Sequence, residues 1–294
     1  MQARATPGRC GFLKGMRENP GSLLTVAFQA AATASEILRA SPPRAFAEKS
    51  GWDLGVELAV ELAIRSRLAA ETPDIGFLGE AEERAGTPGP EWAWALGPID
   101  VTSDFARSVP LCAVSLALLH HGHPVLGVID APFLQKRYHA VEGRGAYLGD
   151  RRLLAGPAAS LRDAIVAIGE YPVGQDADRG SQLRLAARVQ LAPLVHRVRM
   201  LGTAVLDLAW VAEGQRDASV TLGYRPWGIA AGVIIAREAG ATVVEHGGPH
   251  DVGSAVTVAV AGPSALVGEL GPLVGELGPL AQAIDPTPLA MNGA

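Results

Sequence analysis

The run from Trp92 to Ser115, WAWALGPIDVTSDFARSVPLCAVS, constrains the fold of this chain more than any other stretch. It opens strand-like over Trp92 to Leu96 and passes Gly97-Pro98 into Ile99-Asp100-Val101-Thr102. A short polar turn follows, then Val109-Pro110 and a second apolar run. A strand that leads through a polar elbow into a helical turn aims backbone N–H groups and one carboxylate at a single point, as an anion site requires. The sequence therefore predicts a sheet with a place to hold a phosphate at the end of this strand.

The rest of the chain fits around that sheet. Residues 1–21 are polar, carry Pro7, Gly8 and Gly11, and read as a tail. Ser22 is a candidate N-cap for a helix whose apolar positions Leu24, Phe28, Ala31, Ile37 and Leu38 face a core, ended by Ser41-Pro42-Pro43. A second helix is expected from about Leu54 to Ala70. Its acids Glu57 and Glu61 read as solvated charges on its surface. Ile75 to Leu78 is a short strand, and Leu111 to Leu119 with Val125 to Asp130 form a hairpin about His120-His121-Gly122-His123-Pro124. The three histidines read as a solvated loop tip at the end remote from the phosphate elbow, because no cysteine or paired carboxylate completes a tetrahedral metal set. Past Gly156-Pro157, strands alternate with helices to Val256–Ala261, which predicts α/β layering. The chain thus divides into the tail 1–21, a first half 22–156 and a second half 157–294. The tandem LVGELGP of Leu266–Pro279 reads as a short duplication in a terminal segment, since glycine and proline weaken a helix by about 1 and 3 kcal/mol per site.

Composition narrows the functions available. At 294 residues and 48% hydrophobic the chain can bury a large core. A net charge of −5 with no Lys/Arg block argues against nucleic acid or an anionic membrane as partner. Two cysteines, Cys10 and Cys112, offer no disulfide framework and fit a reducing cytoplasm. No unbroken apolar run reaches the ~18 residues a membrane span needs.

Four segments together resemble the inositol monophosphatase family of magnesium-dependent small-molecule phosphatases. Gly97-Pro98-Ile99-Asp100-Val101-Thr102 is similar to its D-P-I-D-G-T signature, and Phe77-Leu78-Gly79-Glu80-Ala81-Glu82 to its strand ending in G-E-E. Tyr224-Arg225-Pro226-Trp227-Gly228-Ile229-Ala230-Ala231-Gly232 is similar to W-D-x-A-A-G, and Gly202-Thr203-Ala204 to G-[ST]-A before a helix. The resemblance spans Ser22 to Pro263 and implies the family's α-β-α-β-α sandwich, a small-molecule substrate and a homodimer.

The same resemblance marks what is missing. Glu80 and Asp100 stand at ligand positions, Ile99 offers a backbone carbonyl and Thr102 keeps its hydroxyl, whereas Gly97, Gly228 and, in an ungapped match, Ala59 stand where the family has acids. Two acids in place of five would leave a pair of dications under-neutralised and mutually repelling, so no metal cofactor is expected beyond a weakly held Mg²⁺ on Glu80, Asp100 and the Ile99 carbonyl. Without metal, Glu80 and Asp100 become an acid/base pair for an elimination, isomerisation or cyclisation, because like charges at close range push one pKa up. Thr102 and the elbow residues Val101 and Ser103 would hold an anionic group, with Gly202 and Thr203 on the substrate side. Asp104 reads either as a third catalytic carboxylate or as a cap on the following helix. Arg225 reads either as a replacement for metal charge or as a surface arginine. Three functions stay open: a repurposed metal-independent enzyme, a one-metal phosphatase, and a non-catalytic binding or assembly protein.

Overall fold

A computed structural model describes residues 19–41, 54–78, 91–157, 160–169, 177–224, 226–246 and 258–275. Its outermost layer is a helix pair, α1 (Leu24–Ala40, entered through a 3-10 turn at Pro20–Leu23) and α2 (Leu54–Glu71). Ala27, Ala30, Ala31, Ala34 and Leu38 recur at three- and four-residue spacing and form the buried stripe of α1. Val60, Ile64 and Leu68 do the same for α2, and both stripes lie on Trp94, Leu116, Leu118, Leu126 and Val128 of the sheet below. Within that contact Trp94 donates its indole N–H to the Thr72 hydroxyl at 3.0 Å, which satisfies two buried polar groups at once.

The sheet below runs in chain order through β1 (Gly76–Leu78), β2 (Trp92–Asp100), β3 (Ala113–His120), β4 (His123–Ala131), β5 (Lys136–Val141), β6 (Ala146–Leu148) and β7 (Arg151–Arg152). β1 pairs with β2 in parallel and the later neighbours are antiparallel. The strand expected to stop at Leu96 continues through Gly97-Pro98 to Asp100. It does so with a register shift against β3 between Gly97 and Asp100, a bulge being where a sheet tolerates proline. A five-residue helix, α3 (Thr102–Ala106), follows the strand.

The second half supplies α4 (Ala177–Leu191), α5 (Ala204–Glu213), α6 (Pro226–Glu238) and α7 (Ser264–Gly275). Its strands are β8 (Ile165–Ile168), β9 (Arg197–Arg199), β10 (Ala218–Leu222), β11 (Thr242–His246) and β12 (Val258–Gly262), ordered β11-β12-β10-β8-β9 in a second sheet. Helices α5 and α6 form the middle layer. Leu206, Ala209, Ala231, Ile234 and Ile235 face Ala95, Ala117, Ile129 and Tyr138 of the first sheet, while Leu208, Val211, Val233 and Ala236 face Ala261 of the second. A Cβ on Gly127 would come within 2.6 Å of Ile234 and 2.9 Å of the Ala231 backbone, so that glycine lets α6 lie directly on β4. Helices α4 and α7 close the far side through Leu183, Ala187, Leu191, Leu266, Leu270 and Val274.

The order of layers is α-β-α-β-α, as the resemblance implied. The first sheet ends at Arg152 and the second begins at Ile165, on either side of Gly156-Pro157. The tandem heptad departs from its reading as a mere duplication. Its first copy lies in α7 with Pro272 inside the helix, because Leu266, Val267, Leu270 and Val274 bury one face against the second sheet and packing outweighs propensity.

Candidate active site

Strand β2 delivers Asp100 to the junction between the first sheet and the middle helices. The chain then turns at Val101, whose φ of 66° and ψ of 69° lie in the left-handed region. A β-branched residue seldom adopts this conformation, and the family signature has glycine there. The turn lets the N–H groups of Asp104 and Phe105 bond the Val101 carbonyl at 3.1 and 3.3 Å, which starts α3.

One carboxylate oxygen of Asp100, Oδ2, accepts from the Thr203 hydroxyl at 2.5 Å and from the Val205 N–H at 3.3 Å. Thr203 is fully buried, and its hydroxyl also accepts from the Leu206 N–H at 3.1 Å as the N-cap of α5. Gly202 precedes it with a φ of 77°. The pair expected on the substrate side is therefore placed underneath Asp100: both hydrogen-bonding roles of the Thr203 hydroxyl are taken, and it holds the carboxylate in place. Burial pushes the Asp100 carboxyl up to about 6, with the Thr203 and Val205 hydrogen bonds pulling the other way and the Asp104 charge adding to the rise.

Asp104 sits in the first turn of α3, and no side chain caps that helix at Val101. Its carboxyl is also raised, chiefly by burial, against Arg107 and a hydrogen bond with Ser103. The Ser103 carbonyl accepts from Arg107 at 3.2 Å. Buried Cys112 lies in the field of both acids; burial first, then Asp104 and Asp100, push its thiol up to about 12, which removes it as a nucleophile at neutral pH.

Thr102 brings in an acid that the sequence reading had left on the surface. Its hydroxyl donates to the Glu57 carboxylate at 3.4 Å, across 45 residues, and Glu57 is half-buried. Glu61, one turn further along, behaves as read and pairs with Arg65 at 2.8 Å. Sequence spacing alone cannot separate the two acids, since the distinction rests on where α2 crosses the elbow. Glu80 and Arg225 lie outside the described residues.

The glycines at the two signature positions lie close to one another. A Cβ on Gly97 would stand 3.5 Å from the Ser115 Cβ and 4.0 Å from the Gly228 carbonyl, and a Cβ on Gly228 would meet nothing within 4 Å. The space two aspartates would use is present without them. Among the described residues, side-chain oxygens near this place include the Asp100 carboxylate, the Thr102 hydroxyl, Glu57, Asp104 and the buried Ser115 hydroxyl beside Gly97. Asp100 already spends one oxygen on Thr203 and Val205, and burial favours its proton. Two hard dications take about six oxygen ligands each, and the described part of the site, without Glu80, supplies fewer side-chain oxygens than that.

A layered α/β fold with carboxylates gathered at the junction of its sheets and middle helices defines a class of small-molecule phosphatase scaffolds. The sequence pattern of the inositol monophosphatase family is matched over residues 19–277, and the chain belongs to that family. It is 37% identical over 201 residues to an inositol-1-monophosphatase of Rhizobium meliloti, covering 67% of this chain and 74% of the relative. It is 32% identical over 238 residues to the Nus factor SuhB of Pseudomonas aeruginosa, covering 78% and 87%. Its structure resembles that of Mycobacterium tuberculosis SuhB with a TM-score of 0.73 at 31% identity, covering 89% of this chain and 98% of the other. It also resembles the Thermotoga maritima IMPase in fold, with a TM-score of 0.74 at 24% identity, covering 88% and 99%.

Proposed function

We propose that the cleft binds a small anionic or phosphorylated metabolite and acts on it by acid/base chemistry without the two-cation centre of the phosphatases. The observation that carries this reading is Asp100, a carboxyl raised to about 6 and fixed by Thr203 and Val205, at the edge of a space bordered by glycines instead of carboxylates. A group that titrates near neutrality can both take and return a proton at working pH.

In this reading Asp100 and Glu80 share the proton-transfer roles. Thr102, the backbone at Val101 and Ser103, and Arg225 hold the anionic group; Thr203 and Gly202 set the position of Asp100. Glu57, through Thr102, adds negative charge that helps keep one carboxyl of the group protonated. An elimination, isomerisation or cyclisation needs only that one carboxyl remove a proton while another supplies one. The chain works as a homodimer in the reducing cytoplasm, with neither nucleic acid nor membrane as partner.

A second reading, a phosphatase with one Mg²⁺ on Glu80, Asp100 and the Ile99 carbonyl, is favoured by the phosphatase name of the Rhizobium relative. A third, a non-catalytic assembly protein, is favoured by the Nus factor name of the Pseudomonas relative. Incubating the purified chain with a panel of phosphorylated polyols, with Mg²⁺ or with EDTA, separates the three. The proposal expects substrate turnover by mass spectrometry that survives EDTA, with a pH inflection near 6 that Asp100→Asn abolishes. Phosphate release that EDTA stops points to the one-metal phosphatase, and a chain inert on every substrate points to assembly.

A further inference from the structure

At the end of β2 opposite Asp100, the hairpin histidines meet a carboxylate. Glu91 immediately precedes the strand, and its Oε1 lies 3.5 Å from His120 Nε2 and 3.8 Å from His121 Nε2. The ligand atoms of all three residues fall within 4.8 Å of one another. Eight residue steps at about 3.3 Å each put this cluster on the order of 25 Å from Asp100, so it is no part of the cleft.

Three local features hold the group together. Trp92 pairs with His120 in the β2–β3 register, and the two rings stack with centroids 4.2 Å apart and planes 18° apart. The His121 N–H donates to the Glu91 carbonyl at 2.8 Å, which ties the entrance of β2 to the hairpin tip. His121 itself takes a φ of 49°, the left-handed turn geometry that brings its ring back beside His120, 4.4 Å between centroids.

Among the described residues His120 Nε2 is buried and has no hydrogen-bond partner, although it lies close to Glu91 Oε1. Two ligands on a tetrahedral Zn²⁺, at bond lengths of about 2.0–2.2 Å, are separated by about 3.3–3.5 Å. The two nitrogen-to-carboxylate separations are too long for good hydrogen bonds and close to that edge, and imidazole with carboxylate is a donor set suited to zinc.

We infer that Glu91, His120 and His121 form a zinc site that pins the start of β2 to the β3–β4 hairpin, with water in the fourth position. The sequence hides it because the carboxylate arrives from 29 residues upstream through strand pairing.

The test titrates the full chain, stripped with EDTA and dialysed, with ZnCl₂ in a calorimeter, and follows thermal unfolding alongside. The comparison variants are Glu91→Gln, His121→Asn, whose asparagine tolerates the left-handed turn, and Asp100→Asn. The parent and Asp100→Asn are expected to bind one equivalent with micromolar affinity. Saturating zinc is expected to raise the parent Tm by about 5 °C, while Glu91→Gln and His121→Asn bind at least tenfold more weakly and show no rise. Absence of binding by the folded parent, or binding that survives both Glu91→Gln and His121→Asn, overturns the assignment; so does binding lost only in Asp100→Asn.

Discussion

Two neighbouring residues, Asp100 and Val101, are both held at a cost to stability. Asp100 is raised to about 6 from an unfolded value near 4, so between those pH values the native chain binds the proton more tightly than the unfolded one. Stability from this group is therefore full at low pH, falls as pH rises through about 4 to 6, and stays reduced above. Asp100→Asn is expected to stabilise the protein by about 1–3 kcal/mol at pH 7.5 and by little at pH 4, a difference read from urea midpoints at the two pH values. Equal effects at both would show that the carboxyl is not strained by burial. Val101 pays a steric penalty at a φ of 66°, which glycine avoids although it adds entropy to the unfolded chain. Val101→Gly is expected to raise stability by about 0.5–1 kcal/mol, and a lower urea midpoint would contradict the backbone geometry. The sequence shows only that valine stands where the signature has glycine, not the contacts or the backbone geometry that hold these residues. The Asp100–Thr203 bond spans 103 residues, and a conformation such as that of Val101 belongs to the folded turn.

Among the elements, the two helices whose reading changed show what local sequence leaves out. Helix α2 carries Glu57 and Glu61 on successive turns, and nothing in the spacing separates the one beside Thr102 from the one beside Arg65. Helix α7 contains Gly268, Gly271 and Pro272, a composition that argues against a helix, yet Leu266, Leu270 and Val274 are buried on one face. If packing alone sustains α7, relieving its weakest position should add stability without altering the fold. Pro272→Ala is expected to raise Tm by several degrees, corresponding to about 1–2 kcal/mol. An unchanged Tm would mean that the helix end beyond Gly271 carries no stability. The strands and the middle helices were legible, because apolar periodicity is dictated by the layer on which each element lies.

For the whole molecule, the layer order and the two sheets followed from alternating patterns and the resemblance. The contents of the cleft did not, because they depend on side chains brought together from both halves of the chain. Gly97 and Gly228 are visible as departures from the signature, and the structure finds them close together with open space beside Gly228. The double variant Gly97→Asp/Gly228→Asp is expected to fold and to release phosphate from inositol monophosphate only with Mg²⁺, EDTA returning it to the parent's level. A double variant that binds Mg²⁺ yet releases no more phosphate than the parent would show that carboxylates at these two positions do not by themselves support hydrolysis. Because no described atom lies within 4 Å of a Cβ built on Gly228, a longer side chain at the mouth of α6 would enter open space and leave the packing beneath it undisturbed.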